Sequence, residues 1–489
     1  MKSFFLILYN QININYFDTS LSKYFLYIHH NWNIKFNDEN LNLNIKSKIF
    51  DYAMWYNFIE ELNNKWFSWD FKVSNSYYNE ILDFCNKWWF SKVYVIKPVE
   101  NYVYENFLKI KDKLASNNID LIFLEDEQSF YLSHNEFLSK YKKPPVMETF
   151  YRYMRKKFDI LMDWNNPIWW KWNYDKDNRW FDKNHKGVNQ LILDETKWLI
   201  EAKKFYNFDW FISYPTNREQ SIILLNYFVK NNLPNFWRLE DAMYENDDYV
   251  YHSNLSTAIN FWLLSPREVV SLIEKQNTEI NNKEWFIRQV IWWREYMYHF
   301  FHFYKDDIYK NNYFNNSNSL EEYFWWKNLD SCKMNCLKTS IKRVLENSYW
   351  HHIERLMIIW NYCLLTWVNP LEINKWFFEK YSDAFEWVVT PNVLWMSQFS
   401  DWWRLATKPY VSSWNYINKM SDFCTNCEYN VKNKYETDSC PFNYLYWSFV
   451  SENIDTFKKT RQPFVVKNLE KIDIEAVKKL KEKFLNKNT

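Results

Sequence analysis

The chain has 489 residues and sets 61 Lys and Arg against 60 Asp and Glu, for a net charge of +1. That balance excludes a global electrostatic footprint for DNA or a membrane surface, while leaving room for a local basic face. The length accommodates about two or three domains around a large core, and no apolar run is long enough to span a membrane.

The first stretch, MKSFFLILYN, carries one Lys, a short apolar run and no small-residue cleavage site. It reads as a first strand rather than a signal peptide. Over 1–135, β-rich runs at 4–8, 24–28, 71–73, 93–96 and 120–124 alternate with amphipathic stretches such as 49–62 and 103–114. Strands separated by helices predict an α/β domain with a doubly wound parallel sheet. Such sheets bind ligands at the carboxyl ends of their strands. KKPPV at 142–146 breaks the pattern and belongs to a loop-rich connector over 136–195. From 196 to 489 the periodicity is helical, with long runs at 217–233, 265–276, 283–302 and 336–365. This predicts a large all-α domain. The last twenty residues read as a basic amphipathic helix with a solvated face. No internal repeat is visible.

Glycine is nearly absent, with 1 Gly beside 30 Trp. A soluble chain of this length carries Gly at about 7%, or roughly 34 residues. Turns with φ > 0, helix C-caps and close backbone approaches all need it. Trp and Gly together come close to the glycine count expected. Some bacteria read the codon UGA as glycine, and decoding UGA as tryptophan would write Trp at those places. The excess of Asn, Lys, Ile, Tyr and Phe fits an AT-rich genome. Trp66 and Trp88 follow Asn-Lys, and Trp402 follows Asp401, which are turn contexts. Trp169, Trp170, Trp292, Trp360, Trp395, Trp402, Trp403 and Trp414 are read as glycines. Trp172, Trp293, Trp325, Trp376, Trp387 and Trp447 are read as true tryptophans. As written, the indole pairs at 169–170 and 402–403 are expected to be crowded. The inflated aromatic fraction removes any argument for nucleic-acid stacking.

Seven cysteines, an odd number, without a secretion signal point to a reducing compartment, the cytoplasm. The run CTNCEYNVKNKYETDSCPF places Cys424, Cys427 and Cys440 at metal-ligand spacing, with Pro441 after the last. Four thiolates suit tetrahedral zinc and an iron–sulfur cluster alike. The fourth comes from Cys332, Cys336 or Cys363, and spacing does not choose.

Several long motifs carry a resemblance. METFYRYMRKKFDILMDWNNPIWWKWNYDKDNR (147–179) is similar to the connector of the iron–sulfur bacterial cryptochromes and photolyases, also called the prokaryotic (6-4) photolyases. That family has Gly-Gly-Lys-Trp-Asn where this chain has Trp169 to Asn173. MNCL (334–337), YWHHIERLMIIWNYCLL (349–365), PNVLWMSQFSDWWRLATKPYVSSWNYINKMSDFCTNC (391–427) and CPFNYLYW (440–447) also resemble it. The resemblance is strong from about 147 to 465 and weak before 140.

The resemblance implies a photolyase/cryptochrome architecture, FAD in the helical domain, and a [4Fe-4S] cluster on Cys336, Cys424, Cys427 and Cys440. Cys332 and Cys363 are then spare thiols. YHSNLSTAINF (251–261) is similar to the segment that holds the FAD phosphates, through Ser253, Ser256 and Thr257 at a helix start. Alone, Ser-x-x-Ser is an N-cap. Arg294 would pair with a FAD phosphate or a nearby acid, and Asp383 and Asn392 would face the isoalloxazine ring. His352 becomes the proton donor to the lesion, with His351 supporting it. A lone His-His pair on a helix otherwise reads as packing or capping. Tyr410 and Tyr416 resemble lesion-side tyrosines. Trp376 and Trp325 match tryptophans of the family's electron-transfer route, whereas Phe377 packs but is a poor redox relay.

The implied function is light-driven repair of (6-4) photoproducts in UV-damaged DNA, by a monomer without membrane contact. The alternative is a blue-light photoreceptor of the same fold. A third reading, a flavin-free nucleic-acid-binding protein, would resemble the cluster domain of the large primase subunit. Departures from the family are local. Asn10-Gln11-Ile12 stands where the family has Asp-Gln-Leu, and YIHHN where a strand ends in glutamate. Both bear on a lumazine antenna in the α/β domain. The segment between Trp325 and Cys336, which contains SCKMNC, is longer than the family's.

Overall fold

The computed structural model describes residues 2–30, 35–36, 39–40, 43–65, 67–174, 180–209, 214–349, 351–401, 404–406, 409–459 and 463–488. Trp66, Trp402 and Trp403 lie outside them.

Five parallel strands form the N-terminal sheet: β1 (Ser3–Ile7), β2 (Tyr24–His30), β3 (Ser68–Ser74), β4 (Lys92–Ile96) and β5 (Asp120–Leu124). Their order is β3-β2-β1-β4-β5, with Phe5 opposite both Phe25 and Tyr94. All five predicted strands are present, and the sheet is doubly wound as expected. β1 shows why. Phe4 and Leu6 face one side and pack with Ile81, Val93 and Phe107. Phe5 and Ile7 face the other and join the core shared with the helical domain. Period-two alternation with both faces apolar is what a covered parallel sheet requires.

Three helices flank the sheet: α1 (Ile45–Asn63), α2 (Tyr77–Trp88) and α3 (Asn101–Ala115). The Asn44 side chain caps α1 by accepting from the Lys46 N–H, and reaches the helical domain by donating to Ser348 Oγ at 2.9 Å. Ser76 caps α2, which ends at Trp89 in the left-handed region (φ 58°). Six more tryptophans share that backbone: Trp164, Trp169, Trp170, Trp262, Trp326 and Trp367. The expected crowding at 169–170 does not occur. Both indoles project into solvent, 76% and 79% exposed, because the turn that carries them lies on the surface.

Beyond the sheet the chain is mostly helical. Polar bonds tie the two parts together. Trp262 Nε1 donates to Ser129 Oγ at 2.6 Å, and the Glu295 carboxylate accepts from the Tyr131 N–H at 2.8 Å. The Glu386 N–H donates to Glu100 at 3.0 Å. The predicted run 336–365 is not continuous. Asn335–Asn347 ends at Ser348 with φ 51°, and the chain restarts at His352–Glu354. That break presents the two histidines. The final helix, Ile474–Asn488, is docked rather than solvated on every side. Val477 is buried, and Lys481 Nζ reaches Glu452 at 2.9 Å. Among the described residues no helix is long and apolar enough to cross a membrane.

Candidate functional site

Three histidines from two segments meet behind a partly open surface. The His252 ring centroid lies 4.2 Å from His351 and 5.2 Å from His352. His351 is fully buried and holds the chain in place. Its Nδ1 accepts from the Ile353 N–H at 3.2 Å, and its Nε2 donates to Ala242 O at 2.9 Å. Burial, reinforced by the fields of His252 and His352, holds its pKa well below the ordinary value, so the ring is neutral. His252 is likewise held down to about 3 by burial and then by the His352 charge.

His352 is different. Its side chain is 47% exposed, and Nε2 stands 3.3 Å from both Glu240 Oε1 and Asp241 Oδ1. Tyr416 donates to the other oxygen of Asp241 at 3.5 Å. One ring therefore faces solvent on one side and two carboxylates on the other. The base of the site is rigid, because Arg343 bonds Glu354 at 2.5 Å and Glu245 O at 2.9 Å. From His352–Glu354 the chain passes into a π-helical stretch, Arg355–Trp360. Such wide turns recur at functional sites, and two others here carry Arg294 and Asn392.

The remaining predicted residues are spread over several elements. Ser253 Oγ accepts from the Leu255 N–H at 3.4 Å, and Ser256 opens the short helix Ser256–Asn260. Ser256 Oγ and Thr257 Oγ1 are buried without a hydrogen-bond partner. Such orphaned hydroxyls suit a polar ligand. Asp383 lies 3.6 Å from Arg355, and its carbonyl accepts from Asn260 at 3.4 Å. Asn392 donates to Val388 O at 2.6 Å. Arg294 is turned toward the α/β domain. It bonds Ser129 O and lies 4.4 Å over the Phe130 ring, in the fields of Glu295 and Asp126. Tyr410 is 37% exposed. Trp376 is fully buried and donates to Phe324 O at 2.8 Å, while Trp325 is 37% exposed with Lys380 4.7 Å over its ring.

Cys336, Cys424, Cys427 and Cys440 line one small cavity walled by Met334, Phe423 and Phe442. None is in a disulfide. Burial pushes the Cys424 thiol up to about 12, and Cys336 is raised by burial and by the other cysteines. Thiols that raise one another's pKa are those a bound cation would deprotonate together, so the set fits a four-thiolate metal group. Cys332 and Cys363 do not line the cavity.

Sequence reading missed His252, Glu240 and Asp241 as partners of His352. No spacing links them, since about 110 residues separate the acids from the histidine.

Comparison with known proteins identifies the family and the fold. A family model described as deoxyribodipyrimidine photo-lyase-related protein matches residues 53–203. A (6-4) photolyase of Agrobacterium fabrum is 36% identical over 358 residues, covering 69% of each chain. The chain belongs to this photolyase-related family. A bacterial class III photolyase from Agrobacterium tumefaciens is similar in structure, with TM-score 0.59 at 11% identity over 99% of this chain and 98% of that one. An archaeal photolyase from Sulfolobus tokodaii, solved with two FAD molecules, gives 0.60 at 14% identity, with 99% and 100% covered. A Synechocystis cryptochrome gives 0.58 at 12%, with 98% and 99% covered. The fold is therefore the photolyase/cryptochrome architecture.

Proposed function

We propose that this protein repairs (6-4) pyrimidine photoproducts in UV-damaged DNA under light, with FAD as its catalytic cofactor. The observation that carries the reading is His352, half exposed and set 3.3 Å from two carboxylates on a rigid base. The likeness to a (6-4) photolyase supports it. FAD, when bound, supplies the photoexcited electron.

The chain supplies position and a proton. His352 gives a proton to the transferred hydroxyl or amino group of a lesion flipped into the site. Glu240 and Asp241 stabilise the charged ring, and Tyr416 orients Asp241. His351 fixes the backbone that presents its neighbour. Tyr410 lies on the lesion side. Ser253, Ser256, Thr257, Arg294, Asp383 and Asn392 serve the FAD site, with residues 196–489 as its domain and 136–195 as the connector. Trp376 and Trp325 carry electrons. Cys336, Cys424, Cys427 and Cys440 hold a [4Fe-4S] cluster. A lumazine antenna belongs with residues 1–135. The protein acts as a cytoplasmic monomer.

The same reading takes the surplus tryptophans as UGA-encoded glycines. Its support is the left-handed backbone at Trp169 and Trp170, two of the eight positions read as glycine, and at Trp89, Trp164, Trp262, Trp326 and Trp367, where glycine meets no steric penalty and an indole is strained; Trp360 has ordinary right-handed backbone and gives no such support. Peptide masses of the protein from its native host would decide it.

The test of function is blue-light repair of an oligonucleotide carrying one (6-4) lesion, with reduced FAD bound. Restored bases support repair. Flavin photoreduction without restored bases would replace repair by the photoreceptor reading.

A further inference from the structure

Behind Trp376 lies a buried chain of rings and oxygens that the repair site does not use. Trp376 packs edge-on to Phe324 at 5.4 Å, and Phe324 stacks on Tyr323 at 5.3 Å and lies 6.5 Å from Tyr362. The two phenols share a hydrogen bond of 2.7 Å. Tyr362 in turn donates to Glu321 Oε1 at 2.6 Å, and Glu321 Oε2 is buried without a hydrogen-bond partner. Tyr362 is fully buried and Tyr323 nearly so.

Structure alone gives little reason to bury two phenols and a carboxylate together. Each polar group costs free energy unless satisfied, and here one carboxylate oxygen is not. Redox chemistry gives a reason. Oxidising a phenol is favourable only if its proton has somewhere to go, and the acceptor must already be hydrogen-bonded at about 2.6–3.2 Å. Glu321 meets that condition. Burial raises its pKa above the usual carboxylate range, which makes it a better proton acceptor than an exposed acid.

We propose that Tyr362 is a proton-coupled electron donor to oxidised Trp376, with Glu321 as its proton acceptor and Tyr323 as the hydrogen-bond donor that steadies the radical. The inference rests on the flavoprotein reading above, because a flavin, when bound, would supply the photo-oxidant that removes one electron from Trp376. One electron then passes from Tyr362 to the Trp376 radical cation, restoring neutral tryptophan. The Tyr362 O–H bond breaks, and its proton moves to Glu321. A neutral tyrosyl radical and a carboxylic acid remain, and charge balances. Return of the electron requires return of the proton, so the oxidising equivalent is held away from the flavin. Phe377, which packs on Trp376 at 5.2 Å, cannot do this.

The test is illumination of the flavin-loaded, oxidised protein, followed by freeze-trapping, paramagnetic resonance and infrared difference spectroscopy. The wild type should give a tyrosyl signal that narrows on tyrosine ring deuteration, together with a new carboxylic-acid carbonyl band. Tyr362→Phe should abolish the signal, and Glu321→Gln should remove the band. If Tyr362→Phe does not fold, the wild-type spectra and Glu321→Gln decide the matter. A tryptophanyl radical alone, or a tyrosyl radical that survives in Tyr362→Phe, overturns the proposal while leaving the flavoprotein reading intact. A folded protein that takes up no flavin overturns both.

Discussion

His352 Nε2 stands 3.3 Å from Glu240 Oε1, and the same nitrogen is equally close to Asp241, while the ring's outer side is open to solvent. A proton donor needs this combination of access and support. His352→Ala should lower repair by roughly 10²–10⁴-fold, the usual worth of a positioned acid, with flavin content and melting temperature nearly unchanged. His351→Ala should behave oppositely in stability. It leaves Ala242 O and the Ile353 N–H unpaired in a buried site, at about 1–3 kcal/mol. Repair assays and chemical denaturation of the two variants separate donor from scaffold. Equal loss of stability in both would remove the distinction.

A second histidine group makes the fold sensitive to acid. His302 is held down to about 3 by burial and then by the charge of His134, and its Nε2 pairs with Val99 O at 3.1 Å. The unfolded chain takes up a proton near the ordinary value of 6.5, and the native ring refuses it until about 3. The native advantage is therefore complete above pH 6.5 and lost as pH falls toward 3. Unfolding free energy of the wild type should drop across that window, and His302→Phe should drop less steeply. Parallel curves for the two proteins would show that the ring titrates normally.

The strands and the cysteine set were legible in the sequence for different reasons. Phe4 to Leu8 is a short apolar run, and its alternation between two covered faces is a local property. Cys424, Cys427 and Cys440 are local too, and the cavity brings them together with Cys336. The His352 partners were not legible, because Glu240 and Asp241 reach it only through tertiary packing. The break at Ser348 was hidden inside an apolar run whose helical period continues on both sides. The docking of the last helix was not legible either, because Lys481 reads as a solvated charge, yet a long basic side chain can bury its stem and still pair its head, as it does with Glu452.

The cysteine cavity makes a quantitative prediction. Cys440→Ser should abolish bound iron and acid-labile sulfide, and so should the same change at Cys336, Cys424 or Cys427. Cys363→Ser, outside the cavity, should retain both. Metal binding is linked to folding, so the loop between Cys427 and Cys440 should become protease-sensitive in the four variants. Zinc in place of iron, at one ion per chain, would keep the ligand set and correct the metal.

Trp89 isolates the cost of an indole at a glycine position. It ends α2 at φ 58° and ψ 44°, and it is 83% exposed, so its side chain contributes almost no packing. A residue with a Cβ in that region costs about 1–2 kcal/mol, and glycine is the favoured C-cap there. A chain made with glycine at position 89 should therefore be more stable than one made with tryptophan there by about 1 kcal/mol, read from denaturation midpoints at unchanged slope. Trp172 is the control. Its ring is faced by Arg152 and Arg155 at 5.3 Å and by Lys156 at 5.6 Å, and its backbone is not left-handed. Trp172→Gly should destabilise. If both substitutions shifted stability in the same direction, backbone conformation would not be what distinguishes the two kinds of tryptophan.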